Sequence, residues 1–442
     1  MIKLPEQVNK AICLLKNSGF EAYAVGGAVR DCLLGKVPFD WDITTSARPE
    51  ETEKVFCGER IIETGIKHGT VTVIIDGMPL EITTYRIDGD YTDHRHPQTV
   101  LFSDNLRDDL SRRDFTINTL CCNCDDKIID AFGGKDDLKN KIIRCVGDPD
   151  TRFSEDTLRI MRAVRFSAEL GFKIEKSTSD SILKNRQLLS DVSKERLQVE
   201  FTKLITGKYA TDVIRKYHAV IEVFIPELAP LVGCEQHTKY HKYDVFEHTL
   251  HAVDAIDFTD RILRLTMFFH DFGKPDAKTT DENGTSHFKG HAVISEKKTR
   301  DILKRLKFDN NTINEVSKLV LIHDMKSPRD KIQAKKMMCS LGDEAYLNLI
   351  KIKRADNMAK ADPHATDEKL KNMRSFYEEI KINNECYNLK SLAINGDDIK
   401  AFGIAEGKEI KSSLDFLLNG VIEGKCQNRK DVLLEYLKEN TK

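Results

Sequence analysis

The spacing of apolar residues changes along the chain, and this change limits the folds that the chain can adopt. From about residue 20 to residue 145, short runs such as EAYAV, TVTVIID and LEITTYR are typical of strands, with Gly-containing turns and helical segments between them. From about Asp150 onward, apolar residues recur at helical spacing, as in LRIMRAVRFSAELGF. The sequence therefore predicts an α+β protein, in which a head with a mixed sheet is followed by a mostly helical remainder.

The length of the chain predicts several packed units. It has 442 residues, which is roughly two to four times the size of a typical domain. Turn-forming or polar segments such as GDPDT are candidate joints. We expect four regions: a head at 1–145, a helical region at 146–235, a His-rich helical region at 236–365 and a helical tail at 366–442.

Charge and composition restrict the partners and the compartment. Lys and Arg number 69 and Asp and Glu 71, so a nucleic-acid partner must be held by a local basic stripe. The 11 cysteines are irregularly spaced, and the segment MIKLPEQVNKAIC lacks the basic and long apolar regions of a signal peptide. No run approaches the roughly 18 apolar residues of a membrane span. We expect a protein of the reducing cytoplasm that does not enter the membrane.

A glycine pair marks the first candidate binding element. The segment YAVGGAVRDCLLG places Gly26 and Gly27 after a short apolar strand and before a helix that begins near Ala28. Glycines let the backbone approach an anion closely, and Arg30 can add a charged contact. The segment predicts a phosphate-binding turn, although alone it leaves open an ordinary strand-to-helix turn.

Two aspartates follow the glycine pair. Asp40 and Asp42 in FDWDITTS stand two residues apart in a predicted strand, which places both carboxylates on one face. A divalent cation is the natural reason to hold two like charges together, and magnesium suits oxygen ligands. Glu81 on a later strand can supply a third carboxylate. A solvated acidic pair at a strand edge is the alternative.

Five motifs give a more specific indication. They are, in order between about residues 20 and 205, GGAVRD, DWD, RRDFTINTL, EDTLRIMRAVRF and KERLQVEF. Together they resemble the class II tRNA nucleotidyltransferase and bacterial poly(A) polymerase family. The resemblance implies a polymerase-β-like head in which metals held by the aspartate pair drive attack of an RNA 3′-hydroxyl on the α-phosphate of a nucleoside triphosphate. It implies catalytic roles for Asp40, Asp42 and Glu81.

The segment EDTLRIMRAVRF predicts how a base is chosen. Asp156 is followed by arginines at intervals of three residues, which predicts a charged face along one helix. A carboxylate accepts from the exocyclic amine of cytosine or adenine and Arg donates to ring acceptors, so the pair can mimic a base-pairing edge. The resemblance assigns base selection to Asp156 and Arg159, in a helical neck. A solvated basic face is the alternative. The predicted nucleotide-binding residues are Gly26, Gly27, Arg30, Arg112, Arg113, Glu155, Asp156, Arg159, Arg162 and Arg165.

Two further segments carry weaker expectations. Arg196 and Glu200 in KERLQVEF are four residues apart, so we expect them to pair within one helix and to have a structural role. Residues 86–109 are polar and predict a mobile loop, with residues 94–97 (HRHP) in its middle, although an ordinary exposed segment is the alternative. In the resembled family, a loop here accompanies enzymes that switch from cytidine to adenosine.

Histidines of the third region follow a metal-ligand order. A His-Asp dipeptide at the end of an apolar helix can turn both side chains toward one metal, and its carboxylate can bridge to a second. In chain order the series is His248, His270 with Asp271, His291, His323 and Asp356. This order resembles the HD phosphohydrolase pattern, which implies hydrolysis of a phosphoester by metal-activated water. Mixed nitrogen and oxygen ligation leaves Mn, Ni, Co and Fe open, and a lone histidine of this kind is often structural. The predicted ligands are His248, His270, Asp271, His291, His323 and Asp356.

Taken together, the resemblance implies template-independent addition of C and A to tRNA 3′ ends. The expected partners are tRNA, CTP and ATP, the expected oligomeric state is monomer or homodimer, and the tail is expected to bind tRNA. Its second activity is expected to be that of a 2′,3′-cyclic phosphodiesterase, a 2′-nucleotidase or a phosphatase. The alternatives are a poly(A) polymerase, an A-adding enzyme that acts with a separate CC-adding partner, and an RNA-binding protein whose head has lost catalysis.

Overall fold

The computed structural model describes residues 2–63, 65–66, 69–89, 100–125, 127–238, 240–404 and 407–440. They form two compact units, Met1–Ala229 and Pro230–Lys442. The first contains a mixed sheet followed by helices, and the second is mostly helical, which confirms the predicted α+β class. The division into four regions stays a prediction. Residues 90–99, which include the HRHP segment of the predicted loop, lie outside the described residues.

The sheet of the first unit positions the first candidate site. Its strands are β1 (Ala22–Val25), β2 (Asp42–Thr45), β3 (Arg60–Ile62), β4 (Thr70–Ile75), β5 (Met78–Thr84), β8 (Cys121–Cys122) and β9 (Ile128–Ile129). Their spatial order is β3-β4-β5-β2-β1-β8-β9. Only β2 and β5 pair in parallel among these strands, with Asp42 opposite Glu81. In β4, Val71, Val73 and Ile75 are buried at the period of two that a half-buried strand requires.

Short two-stranded pairs and, among the described residues, ten α-helices complete the first unit. The pairs are β6 (Arg86–Asp88) with β7 (Val100–Phe102), and β10 (Ile142–Ile143) with β11 (Lys173–Ile174). The helices are α1 (Glu6–Asn17), α2 (Gly27–Leu33), α3 (Pro49–Val55), α4 (Leu106–Ser111), α5 (Gly134–Asn140), α6 (Pro149–Glu155), α7 (Leu158–Leu170), α8 (Lys176–Asn185), α9 (Lys194–Ile205) and α10 (Ala210–Ile221).

Helix α7 is the centre of the helical part of this unit. It packs against α9 and α10, and its apolar residues Ile160, Met161 and Val164 are fully buried. The helix ends at Gly171, whose φ of +70° is left-handed. A Cβ there would lie 2.6 Å from the Tyr209 ring, so both the backbone and the packing favour glycine.

The second unit is built from helices and one short hairpin. The helices are α11 (Val245–Asp254), α12 (Arg261–Phe269), α13 (Lys274–Ala277), α14 (His291–Arg305), α15 (Asn310–Ile322), α16 (Lys331–Leu341), α17 (Asp343–Met358), α18 (Asp367–Ile382), α19 (Gly396–Ala401), α20 (Lys408–Ile422) and α21 (Lys430–Asn440). The hairpin pairs β12 (Thr279–Thr280) with β13 (Ser286–His287). Side-chain carboxylates of Asp244, Asp260 and Asp309 cap α11, α12 and α15, which explains where these helices begin.

Two findings bear on the expected compartment. Among the described residues, no helix is both long and apolar enough to cross a membrane. All eleven cysteines are free thiols.

The C-terminal helices share a small apolar core, which gives a test of the fold. Leu417 on α20 is fully buried against Leu433 and Leu437 of α21. Leu417→Ala should lower the free energy of unfolding by about 2–5 kcal/mol, because it removes buried methyl groups and leaves a cavity. Lys411→Ala on the exposed side of the same helix should change it by less than about 0.5 kcal/mol. Equal effects in chemical denaturation would contradict the packing described.

Candidate active site and metal centre

The glycine turn lies against two of the predicted site residues. Gly26 joins β1 to α2 with a φ of +83°. A Cβ at Gly26 would lie 3.3 Å from Arg113 Nη1 and 3.8 Å from Asp42 Oδ2, so glycine allows both side chains to approach the backbone. Arg30 lies beside the turn, because its Nη2 is 3.7 Å from the position of a Cβ at Gly27, and its buried guanidinium donates to Asn118 Oδ1 over 2.8 Å. Arg30 is therefore placed to hold the turn in position.

Three carboxylates lie close to the start of β2, an interior strand of the sheet. β2 begins at Asp42, so Asp40 precedes the strand, and the period of two does not fix its direction. Parallel pairing sets Glu81 beside Asp42. Asp42 is exposed, but the protein around it reduces the hydration of its carboxylate and raises its pKa to about 6; Arg113 opposes this rise, and Glu81 and Asp40 add to it. A divalent cation relieves such a concentration of negative charge.

Asp109 organises the two predicted arginines and was missed by the sequence analysis. Its fully buried carboxylate accepts two hydrogen bonds from Arg112, at 3.0 and 2.6 Å, and one from Arg113 at 3.3 Å. Burial alone would raise the pKa of Asp109, but Arg113 and Arg112 outweigh it and hold the pKa below its usual range. The signal was present in the sequence, since Asp109 stands four residues before Arg113.

Asp114 ties the segment after α4 to helix α7. Its Oδ2 accepts from Arg162 Nε and Nη2 at 2.8 and 2.6 Å, and its Oδ1 accepts from Asn118 Nδ2 at 2.9 Å. Burial would raise the pKa of Asp114, but Arg162 and Asn118 lower it to about 2. The carboxylate is therefore ionised at neutral pH, and Arg162 is held at the site.

The predicted base-selecting residues lie where α6 meets α7. Asp156 ends α6, so it precedes the arginine-bearing helix and is not part of it. Its Oδ1 accepts from the Leu158 amide at 3.2 Å and from Arg196 Nη2 at 3.1 Å. Arg159 donates to Glu155 Oε2 at 2.8 Å and to the carbonyl of Arg112 at 2.7 Å. Both side chains are thus fixed in orientation by several contacts.

The expected pair within α9 is wrong. Arg196 reaches Asp156, and Glu200 instead accepts from Arg165 Nε at 2.5 Å. Arg165 also donates to Glu169 at 2.7 Å. Contacts between helices replace the local pair because Glu200 is buried, and the guanidinium of another helix satisfies it there. Arg165 therefore binds other protein groups at both ends of its guanidinium.

The second unit brings together all six residues of the predicted metal set. Two groups share Asp271, and within each group the potential ligand atoms lie within 4.8 Å of one another; the groups are His248 with His270 and Asp271, and Asp271 with His291 and His323. Asp356 Oδ1 lies 3.0 Å from His248 Nε2. In the part of the chain that is described, these are the groups of three or more potential ligands at this spacing, so the three head carboxylates are less tightly drawn together.

Backbone carbonyls orient the four histidines. The Nδ1 atoms of His248, His270, His291 and His323 lie 3.2, 2.6, 2.8 and 2.6 Å from the carbonyl oxygens of Ala359, Met267, Phe288 and Val320. A carbonyl only accepts, so Nδ1 carries the proton and Nε2 of a neutral ring keeps its lone pair. The Nε2 atoms of His291 and His323 are 3.1 Å apart, and those of His248 and His270 are 3.4 Å apart. Facing lone pairs at these distances call for a cation, and imidazole with carboxylate suits a transition metal.

Lysines balance the carboxylates of this centre. Lys274 Nζ is 2.7 Å from Asp271 Oδ2, and Lys360 Nζ is 2.5 Å from Asp356 Oδ2. Burial would raise the pKa of Asp271, but His270, when its ring is protonated, and Lys274 hold it well below its usual range. Burial lowers the pKa of His323 to about 3, so that ring is neutral. Lys360 was missed by the sequence analysis, although it stands four residues after Asp356.

Known proteins resemble the whole chain. Residues 22–144 match the family described as "Poly A polymerase head domain", residues 171–231 the "Probable RNA and SrmB- binding site of polymerase A", and residues 279–437 the "tRNA nucleotidyltransferase domain 2 putative". The CCA-adding enzyme of Lactobacillus helveticus is 32% identical over 99% of this chain and 98% of its own. That of Bacillus velezensis is 34% identical over 96% and 95%. The chain belongs to the CCA-adding enzyme family.

Solved structures agree with this membership. The crystal structure of Bacillus stearothermophilus CCA-adding enzyme in complex with CTP matches with a TM-score of 0.75 and 30% identity, over 98% of this chain and 96% of that one. Thermotoga maritima CCA-adding enzyme complexed with tRNA shares the fold, with a TM-score of 0.65 and 22% identity over 100% and 97% of the two chains. The predicted CCA and poly(A) polymerase family and the polymerase-β-like head are confirmed.

The Asp114 contacts give a pH-dependent prediction. In the folded protein the pKa of Asp114 is about 2, against an ordinary value of 3.8. The ionised carboxylate therefore contributes about 2 kcal/mol above pH 3.8, and this contribution is lost as the pH falls from 3.8 toward 2. Asp114→Asn should be less stable than wild type at pH 7, and the difference should shrink below about pH 4.

Chemical denaturation between pH 2 and pH 7 measures this difference. Asp212→Asn is the matched control, because the side chain of Asp212 is 78% exposed and pairs only at the surface with Arg215. A constant difference for Asp114→Asn across this range would contradict the assigned ion pair.

Proposed function

We propose that this protein adds C and A nucleotides to tRNA 3′ ends from CTP and ATP without a nucleic-acid template. The observation that carries the proposal is the match to CCA-adding enzymes over nearly the full length of the chain, at 32% and 34% identity. A similar structure that was solved with CTP supports it. The arrangement of charged groups supports it, because a carboxylate cluster, a glycine turn and the junction of α6 and α7, with Asp156 and Arg159, lie in one unit.

The carboxylates are proposed to hold the metals of the transfer reaction. Asp40, Asp42 and Glu81 offer only oxygen ligands, which suits Mg²⁺. When bound, two metals lower the pKa of the attacking hydroxyl and offset charge on the leaving pyrophosphate. Arg113 lies between the glycine turn and Asp109, so it is placed to bind a phosphate without moving far.

Base selection is proposed to rest on Asp156 and Arg159. Cytosine and adenine both present an exocyclic amine, from which a carboxylate oxygen of Asp156 can accept a hydrogen bond. Arg196 and the Leu158 amide hold that carboxylate, while Glu155 and the Arg112 carbonyl hold Arg159. The edge is therefore already formed, and the remaining guanidinium donors of Arg159 can meet ring acceptors. We also assign tRNA binding to the tail, residues 366–442.

Asp42→Asn tests the head assignment. This change should reduce nucleotide incorporation into tRNA that lacks its CCA end by at least about a hundredfold, because an amide holds a divalent cation far less well than a carboxylate. The matched control is Asp76→Asn on the turn between β4 and β5. Asp76 is exposed, and its ion pair with Lys10 is a long surface contact of 3.8 Å, so little depends on its charge. Wild-type incorporation by Asp42→Asn would contradict the assignment of Asp42, whereas no incorporation by the wild-type protein itself would support a head that binds RNA without catalysis.

Nucleotide dependence separates the alternatives. Wild-type protein should extend tRNA ending before the CCA only partly with CTP alone, and complete the end with CTP and ATP together. Incorporation of ATP alone, onto any RNA, would favour a poly(A) polymerase. Incorporation of ATP only onto tRNA that already ends in CC would favour an A-adding enzyme with a separate CC-adding partner.

We further propose that the second unit holds an HD-type phosphohydrolase centre. The observation that supports this proposal is the two pairs of facing Nε2 atoms around Asp271. Divalent Mn, Ni, Co or Fe would be held by the four histidines with Asp271 and Asp356, and would supply activated water. A cavity of about 300 Å³, bordered by Lys274, Lys289 and Lys360, offers room and positive charge for a phosphoester. The substrate class is a 2′,3′-cyclic phosphodiester, a 2′-nucleotide or another phosphomonoester at an RNA end.

His270→Ala tests this centre. The variant should lose bound transition metal, measured by elemental analysis after dialysis against excess metal, and should lose phosphoester hydrolysis. Nucleotide incorporation should remain, because the Asp40–Asp42 site lies in the other unit. His364→Ala is the control, since the side chain of His364 is 77% exposed and pairs with Asp367 away from the ligand set. Unchanged metal content in a folded His270→Ala protein would contradict the ligand assignment.

A further inference from the structure

An apolar pocket opens beside the predicted catalytic carboxylates. It has a volume of about 640 Å³ and is lined in part by Val37, Phe39 and Trp41. Val37 and Phe39 are almost completely exposed, at 96% and 102%. Trp41 is buried, with only 6% of its surface exposed. Apolar side chains that protrude in this way next to a reactive site are typical of a binding surface.

The pocket lies on one side of the carboxylates. β2 and β5 pair in parallel, with Asp42 opposite Glu81. The residues two positions earlier, Asp40 and Pro79, both line the pocket. On the other flank of β2, Val25 pairs with Asp42 and leads directly into the Gly26 turn. The pocket is lined mainly by Cys32 of α2 and by residues 36–41 of the connection to β2, so it adjoins the carboxylates at Asp40, whereas the Gly26 turn adjoins them at Asp42.

The chemistry of the pocket fits unpaired RNA. Single-stranded nucleic acid binds where aromatic side chains stack on bases and nearby lysines meet the backbone phosphates. Phe39 supplies an exposed aromatic face, and Lys3 and Lys36 are exposed at the pocket. The Asp40 carboxylate at its border repels phosphate, so the apolar part of the pocket suits a base.

We propose that this pocket binds the unpaired 3′-terminal nucleotide of the RNA acceptor, with its base stacked on Phe39. The inference rests on the proposed nucleotide transfer, because that reaction requires an RNA 3′-hydroxyl beside the carboxylates at the same time as a triphosphate. The stack holds the acceptor end in the pocket beside Asp40, and the triphosphate occupies the Gly26 turn beside Asp42. Phe39 is thus a positioning residue for the acceptor and does not take part in bond making.

Steady-state kinetics with Phe39→Ala test the stack. The KM for tRNA lacking its CCA end should rise by roughly fivefold or more, because base stacking on an aromatic side chain contributes that much to binding. The KM for CTP should stay unchanged, and Phe39→Tyr should restore the KM for tRNA. Phe39 is fully exposed, so its loss does not remove core packing. Phe258→Ala in the second unit, which removes another exposed phenylalanine, is the matched control.

Tryptophan fluorescence gives a readout that does not depend on turnover. Trp41 is the only tryptophan of the chain and lines the pocket, so its emission reports on this place alone. Acceptor tRNA added without nucleotide should change the Trp41 emission of wild type, at concentrations that leave the emission of Phe39→Ala unchanged.

Other outcomes would overturn the inference. A raised KM for CTP in Phe39→Ala would assign the pocket to the incoming nucleotide, and a change in oligomeric state on gel filtration would assign it to a second copy of the chain. Unchanged kinetics and unchanged tRNA-dependent emission would leave the pocket without an RNA role. If wild type incorporates no nucleotide at all, the proposed transfer fails, while the emission test still decides whether the pocket binds RNA.

Discussion

The ion pair between Asp114 and Arg162 is the interaction on which the head site depends. It joins the segment after α4 to helix α7, and the neighbouring contact from Arg159 to the Arg112 carbonyl does the same. A buried ion pair adds little net stability compared with apolar packing, but removal of one partner is costly. The main effect of the pair is therefore geometric, because it fixes the edge that carries Asp156 relative to the carboxylates of the sheet.

The proposed metal centre of the second unit follows a similar principle with backbone groups. His270, His291 and His323 each donate from Nδ1 to the carbonyl three residues earlier, so local chain geometry sets the direction of each ring. The Nε2 atoms then meet across helices around the buried Asp271. Both sites are thus prepared before any ligand arrives, which reduces the reorganisation that binding requires.

Local patterns predicted the fold class and the six residues that the second unit brings together, whereas most contacts between elements could not be read from them. The strand period of residues 71–75 and the helical period of α7 follow directly from the sequence. The partner of Glu200 does not, because four-residue spacing favoured Arg196 and the folded chain brings Arg165 instead. Asp40 failed to join β2 for a related reason, since strand limits depend on pairing with neighbouring strands.

The most direct test of this account is a crystal structure of the protein with CTP and Mg²⁺. The account predicts the triphosphate beside Gly26 and Asp42, with the cytosine amine within hydrogen-bond distance of Asp156 and its ring acceptors facing Arg159. A cytosine bound away from the edge between α6 and α7, with Asp156 still held only by Arg196 and the Leu158 amide, would contradict it.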